Sequence, residues 1–449
     1  MGRSAEICFV RRKTIWNETS DAEFGRKTSN RNNALSPTAA ASIVGLITAE
    51  VLMTALGYLV PEFPNQTHAF FWREVQAMRA EGVKVVLLST RTPAPEACLH
   101  DFAAAARAET RYLFPPSASA LGFLAARPLR TAAALRYIAG LTQSSLKDRA
   151  RIAAMLPSAA TLCLQARANG VRHLHVHSCA NSAHLAVLAN ILDDLPYSLT
   201  LHGDLEVYGT DFVSKFSRAV LVQAVTRPLR SQILEVAPEV HVPVITMGVD
   251  TDRFRPGPTA SHAIPRFLSV ARLNLTKGHV FFLRAMRQIL NEGHALHYAV
   301  AGEGPAREMI EAEIAALGLE GQVTMLGSLS QDQVLEELQG ADGFVLTSFG
   351  LGEAAPVAVM EAMAVGLPVI CSRIGGTGDM ITDDVDGLLV GQQDVTAIAD
   401  ALRRLVSDAG LRNRIGSAAR ERALVQFDAR VMARALLGEL GILPTGQGT

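Results

Sequence analysis

The chain has 449 residues, enough for two domains and a large core. Apolar residues make up 49% and aromatic residues 6%, and the formal net charge of −1 supplies no global field for nucleic acid. The five cysteines (Cys8, Cys98, Cys163, Cys179 and Cys371) are odd in number and lack Cys-x-x-Cys spacing, which favours a reducing compartment over a structural zinc site.

Residues 1–33 are polar, without sustained periodicity. Residues 39–60 are apolar apart from scattered Ser and Thr and Glu50, long enough to cross a bilayer, so a signal anchor is one reading. The favoured reading starts the fold near Met53, with 54–60 as the first buried strand and Pro61-Glu62-Phe63-Pro64 as the loop after it. Residues 1–50 are then a disordered extension or the product of a start assigned too early. No small-x-small cleavage site is clearly placed.

Beyond Val60 the pattern alternates. A helix over 67–81 leads through Gly82 to a strand at 84–89, and an Ala/Leu/Arg-rich helical insertion fills about 96–169. Strands follow at 173–177 and 198–202 around a helix at 181–193, then strands at 219–225 and 241–247. A second series runs from a strand at 267–270 through a helix at 279–291, a strand at 297–301, a helix ending at Leu317-Gly318, and strands at 323–326 and 343–346. Such alternation predicts an α/β protein of two Rossmann-like domains with parallel sheets, facing across a deep cleft at the carboxyl ends of the strands. The expected divisions are 53–246, a Pro/Gly-containing linker at 247–263, 264–427, and a terminal helix and tail at 428–449.

The densest chemistry lies in Gly352-Glu353-Ala354-Ala355-Pro356-Val357-Ala358-Val359-Met360-Glu361, which runs on to Gly366-Leu367-Pro368-Val369. Glu353 and Glu361 are separated by seven residues, and Gly366-Leu367-Pro368 stops the helix and launches a strand. A helix N-terminus suits a ligand phosphate, and adjacent carboxylates accept hydrogen bonds from sugar hydroxyls. In Ser269-Val270-Ala271-Arg272-Leu273-Asn274-Leu275-Thr276-Lys277-Gly278, one cation ends a strand and another follows five residues on. A diphosphate leaving group requires such fixed positive charge. Gly302-Glu303-Gly304-Pro305 reads as a turn after a strand and fails as a dinucleotide fingerprint, because the third Gly is missing at position 307. Asp250/Asp252 and Asp384/Asp386 belong to no carboxylate cluster able to satisfy a divalent cation. His173, His175 and His177 alternate on one strand and share a face. Zinc is conceivable there, but no fourth ligand is signalled.

These blocks resemble the retaining glycosyltransferases of family 4, with E-x7-E followed by A-M-A-x-G-x-P-V, R-L-x-x-x-K-G, and a G-V-D-x-x-x-F-x-P linker. The resemblance runs from about Met53 to Phe427. Phe63-Pro64-Asn65-Gln66-Thr67-His68-Ala69-Phe70-Phe71-Trp72-Arg73-Glu74 is similar to the acceptor-side loop of the colanic-acid and exopolysaccharide branch. It implies the GT-B fold and a nucleotide-sugar donor that is a substrate, with no metal or other cofactor. Arg272 and Lys277 are implied on the diphosphate, Glu303 and Gly304 near the base, Glu361 on the ribose and Glu353 on the sugar hydroxyls. Ala354, Pro356 and Val357 line the same donor loop, and His202 is implied near the anomeric centre. The loop Gly375-Gly376-Thr377-Gly378-Asp379 carries Asp where relatives have Glu.

The expected activity moves a hexose from a UDP- or GDP-sugar to a surface polysaccharide or lipid-linked precursor, with the leaving phosphate helping to take the acceptor proton. The expected site is cytoplasmic, with the basic insertion (Arg107, Arg111, Arg127, Arg130, Arg136, Arg149, Arg151) touching the inner membrane surface or forming an ordinary solvated face. A sugar-nucleotide epimerase, a phosphorylase and a catalytically silent nucleotide-sugar binder are the alternatives.

Overall fold

A computed structural model describes residues 55–257, 262–351 and 353–442. The readings placed on residues 1–50, on Gly352 and on 443–449 lie outside them. The first sheet has strands β1 (Ala55–Glu62), β2 (Val85–Arg91), β3 (Arg111–Tyr112), β4 (Val171–His177), β5 (Tyr197–Leu201) and β6 (Val222–Ala224), ordered β3-β2-β1-β4-β5-β6. The second has β7 (Arg266–Val270), β8 (His297–Ala301), β9 (Val323–Gly327), β10 (Gly343–Leu346), β11 (Val369–Ser372) and β12 (Leu388–Val390), ordered β12-β11-β10-β7-β8-β9. Every pairing is parallel. Counted from its own first strand, each sheet therefore repeats the doubly wound order, and its switch point lies between β1 and β4 or between β7 and β10.

Helices α1 (Ala69–Ala80), α2 (Ala103–Glu109), α3 (Ser119–Ala125), α4 (Pro128–Ala139), α5 (Leu146–Ala153), α6 (Leu156–Asn169), α7 (Asn181–Asp193), α8 (Phe212–Phe216) and α9 (Arg227–Val236) clothe the first sheet. The second carries α10 (His279–Asn291), α11 (Arg307–Ala316), α12 (Gln331–Gln339), α13 (Val357–Val365), α14 (Thr377–Met380), α15 (Val395–Ser407) and α16 (Ala409–Gln426). The last helix, α17 (Ala429–Glu439), packs against α1 of the first lobe. Strands covered on both faces read as continuous apolar runs, and residues 55–60 of β1 are all buried. Those six residues are a central strand, so the anchor reading of 39–60 does not hold for them. Among the described residues no helix is long and apolar enough to cross a membrane.

Four expectations differ from the structure. The loop expected at 61–64 begins later, because β1 continues to Glu62, whose register partner is Arg91. The helical insertion contains a strand, β3, where Thr110-Arg111-Tyr112-Leu113 favours extended backbone and Pro115-Pro116 prevents a helix from restarting. The strand expected at 241–247 is reduced to one bridge from Val244 to Ala224, since Pro243 offers no N–H to a ladder. Finally, the helix past Asp394 divides into α15, α16 and α17. Asp408 accepts from the Leu411 N–H at 2.9 Å and Asp428 from the Arg430 N–H at 2.9 Å, so each aspartate caps a new helix.

The linker and the α16–α17 junction are laced together. Val249 donates to the Phe427 carbonyl at 2.7 Å and accepts from Ala429 at 2.9 Å, while Arg420 donates to the carbonyls of Phe254 and Thr251 at 2.7 and 3.0 Å. Leu436 on α17 is fully buried in a cluster with Phe71, Val75 and Met78 of α1. Leu436→Ala should lower unfolding stability by about 2–5 kcal/mol, read from a urea denaturation midpoint.

Candidate active site

At the carboxyl end of β7 the chain turns through Arg272 and a short helical turn, Leu275–Lys277. Lys277 Nζ pairs with Glu353 Oε2 from the loop after β10, and Ser348 Oγ donates to the same oxygen at 3.0 Å. Two strands adjacent at the switch point thus bring together two residues 76 positions apart in sequence. The side chains are 22% and 14% exposed, so the pair is accessible from one side. Two glycines hold this geometry. Gly302 (φ 140°) passes so close to the β7 turn that a Cβ would lie 1.9 Å from the Ala271 carbonyl oxygen, and one on Gly375 (φ 51°) would lie 1.9 Å from that of Glu353.

Arg272 is exposed and forms no ion pair among the described residues. Glu303 is exposed at the end of β8 and pairs with Arg307 at the start of α11. Its carbonyl accepts from Leu273 at 2.9 Å, and Gly304 sits directly over the Leu273 backbone. Ala354 and Pro356 are buried where the loop enters α13, and Val357 is its first residue. No side chain caps that helix, so its first N–H groups point into the loop region without a side-chain acceptor.

Glu361, on the second turn of α13, is engaged across the lobes by Arg73 of α1. Each side chain is only 9% exposed. The Arg73 guanidinium also lies 5.1 Å from the Phe254 ring centre, while its Nε and Nη1 have no hydrogen-bond partner. The carboxylate assigned from the sequence to a ribose is therefore paired with a cation that the sequence reading did not single out.

In the first lobe, His202 follows β5. Its Nε2 lies 3.0 Å from His177 Nδ1 and its backbone N–H donates to Tyr208 Oη at 2.8 Å. His177 Nε2 in turn lies 3.4 Å from Glu74 Oε2 on α1, which accepts from Tyr58 Oη. Phe70 and Phe71 bring their rings to within 5.3 and 5.4 Å of His202. Burial lowers the His202 pKa to about 3 and holds His177 well below its usual value, so both rings are neutral near pH 7. Burial also raises Glu74 to about 7, with the Tyr58 hydrogen bond opposing it. Ser178, next after His177, has φ 106°, which costs a serine about 1–3 kcal/mol.

The other alternating histidines are tied into the core. His173 and His175 approach Ser198 Oγ at 2.8 and 2.7 Å, and His175 Nε2 approaches Thr200 Oγ1 at 2.8 Å. Asp379 accepts from the Arg227 N–H at the start of α9 at 2.7 Å, which joins the lobes. Arg73 and Glu74 carry no sequence signal of their partners, because Glu361 and His177 lie on separate elements. The one local signal is an Arg-Glu pair one helical turn past Phe70, within the loop that resembles an acceptor-side loop.

Residues 250–422 match the model of the Glycosyl transferases group 1 family. This segment is a glycosyl transferases group 1 domain. It carries Arg272, Lys277, Glu303, Glu353 and Glu361. The chain is 32% identical over 246 residues to the putative colanic acid biosynthesis glycosyltransferase WcaL of Escherichia coli (strain K12), a match covering 53% of this chain and 61% of that protein. It is 31% identical over 238 residues to the amylovoran biosynthesis glycosyltransferase AmsK of Erwinia amylovora, covering 52% and 58%. The chain thus spans about three fifths of the length of these two relatives. The crystal structure of Anabaena Alr3699/HepE in complex with UDP-glucose superposes with a TM-score of 0.66 at 16% identity, over 87% of this chain and 100% of that one. The group 1 domain and the lobe before it together have the GT-B fold.

Removing Arg73 would strand the buried Glu361 carboxylate. Arg73→Ala should destabilise the protein by about 3–5 kcal/mol, and joining Arg73→Met to Glu361→Leu should recover most of that loss, because neither charge then needs desolvating. Urea unfolding of the two variants checks both.

Proposed function

We propose that the protein is a retaining glycosyltransferase that moves a hexose from a UDP- or GDP-sugar to a surface polysaccharide or its lipid-linked precursor. The observation that carries this reading is the Lys277–Glu353 pair at the carboxyl ends of β7 and β10. One member supplies charge for a diphosphate and the other accepts hydrogen bonds from hydroxyls, so a nucleotide-sugar satisfies both at once. The relatives named for colanic acid and amylovoran biosynthesis, and the neighbour solved with UDP-glucose, support the same substrate class.

In this reading Arg272 and Lys277 hold the diphosphate, which also accepts from the uncapped start of α13 beside Ala354, Pro356 and Val357. Glu303 and Gly304 border the base. Glu353 orients the sugar, and Glu361 reaches the ribose once Arg73 gives way or shares it. His202 meets the sugar from the opposite lobe. In this reading Arg272 and Lys277 together neutralise the leaving diphosphate, the task a divalent ion performs in other enzymes.

The acceptor side has its own support. Helices α3 to α5 expose Leu121, Leu129, Leu135 and Leu146 near the exposed, unpaired Arg136. Arg127, Arg130, Arg149 and Arg151 make ion pairs or backbone hydrogen bonds within the lobe instead. These helices thus expose both apolar side chains and the unpaired charges of Arg136 and Lys147. A lipid-linked acceptor would place them against the inner membrane, and Leu129→Asp should then weaken sedimentation with anionic vesicles without altering thermal stability.

The central test is nucleotide release over a panel of UDP- and GDP-sugars, with and without membrane lipid extract. One donor should support release that depends on the extract. Lys277→Ala and Glu353→Ala should each lower kcat/KM by about 10²–10³-fold. Binding of a nucleotide-sugar without release from any donor under both conditions would replace this reading with a silent binding protein.

A further inference from the structure

The seam between the lobes holds a guanidinium whose hydrogen bonds are incomplete. Arg73 engages Glu361 through Nη2, while its Nε and Nη1 are buried and have no hydrogen-bond partner among the described residues. Nε carries one N–H and Nη1 two, so three of the five donors go unused. The Phe254 ring, 5.1 Å away, offers the cation a π face but no lone pair. The side chain is 9% exposed, so solvent does not complete it. A buried donor left unmade is costly, and native structures carry one where something else supplies the acceptor.

The surroundings indicate which part of a ligand meets these donors. His100 is 8% exposed, both charges of the pair act on its ring, and its Nδ1 also lacks a partner. Gln66 Nε2 donates across the seam to the Leu329 carbonyl, just beyond β9, at 3.0 Å. At the end of β9, a Cβ on Gly327 would lie 3.2 Å from Glu303 Oε1. Gln66, Arg73 and His100 of the first lobe thus face the end of β9 and the second turn of α13. Those are the places where the proposed function puts the base and the ribose.

We propose that Arg73 is a nucleotide-binding residue supplied by the opposite lobe, and that the vicinal diol of the ribose binds between Arg73 and Glu361. A carboxylate only accepts and a guanidinium only donates, whereas a hydroxyl does both. Each O–H of the diol donates to Glu361 while its oxygen accepts from an Arg73 N–H. The diol takes up donors that the direct pair leaves over, keeps both charges compensated and ties the lobes together through the substrate. A phosphate does not fit the same place, because it sets a second anion beside Glu361.

The inference deepens the nucleotide-sugar reading and rests on it. Isothermal titration calorimetry of the full chain with UDP, GDP and their 2′,3′-dideoxy analogues tests it. Wild type should bind one ribonucleotide at least about tenfold more tightly than its dideoxy analogue. Arg73→Lys keeps a cation for Glu361 but loses the planar fork. It should weaken the ribonucleotide about tenfold and leave the dideoxy analogue within about twofold. Arg73→Met joined to Glu361→Leu buries neither charge and should bind the two ligands alike. An equal loss for both ligands in Arg73→Lys, or a preference for the diol that survives in the double variant, would overturn the proposal and leave Arg73 a brace between the lobes. Tighter ribonucleotide binding by Arg73→Lys would overturn it in the other direction, making the ion pair an obstruction. Failure of wild type to bind either nucleotide removes the transferase reading itself, and this inference with it.

Discussion

Parallel strand pairing is the constraint from which the rest of this molecule follows. A parallel strand must be re-entered from the same end, so every crossover returns beneath the sheet and every functional loop leaves from one edge. Each lobe reverses its winding once, at β1/β4 and at β7/β10, and the splayed loops there leave room for a ligand. His177, Lys277 and Glu353 all leave strands or loops beside those two reversals. Side chains far apart in sequence become neighbours because the sheet gives them nowhere else to emerge.

Charge neutralisation is the second organising element, and it differs between the two acids of the donor loop. Glu353 meets Lys277 within its own lobe at partial exposure, whereas Glu361 meets Arg73 from the other lobe in near-complete burial. A partly exposed pair exchanges partners with modest loss, because water compensates either ion as they separate. A buried pair does not, since separation leaves a carboxylate and a guanidinium in a medium that cannot solvate them. In the proposed reading, Glu353 is thus ready for a sugar, while access to Glu361 is coupled to the position of α1.

Much of the architecture was legible in sequence because buried parallel strands and amphipathic helices leave strong signals of different period. The failures have particular causes. The short edge strand β3 lies within an Ala-rich helical context that masks a two-residue ladder, and Pro243 sits where a strand pattern otherwise continues. The aspartate caps that divide α15, α16 and α17 were present as residues but hidden by the helical composition around them. For the site, Lys277 and Glu353 stood in recognisable blocks. Arg73, Glu74 and the Asp379–Arg227 contact could not be read that way, because each acquires its meaning from a partner on a separate element.

The chain crosses between the lobes twice, once through Val249 and once through Phe427 to Ala429, and those crossings are hydrogen-bonded to each other. Two segments joined at that bridge are held as a pair where a lone segment would be a swivel. Rotation of one lobe against the other is thereby more restricted than a single connection would leave it.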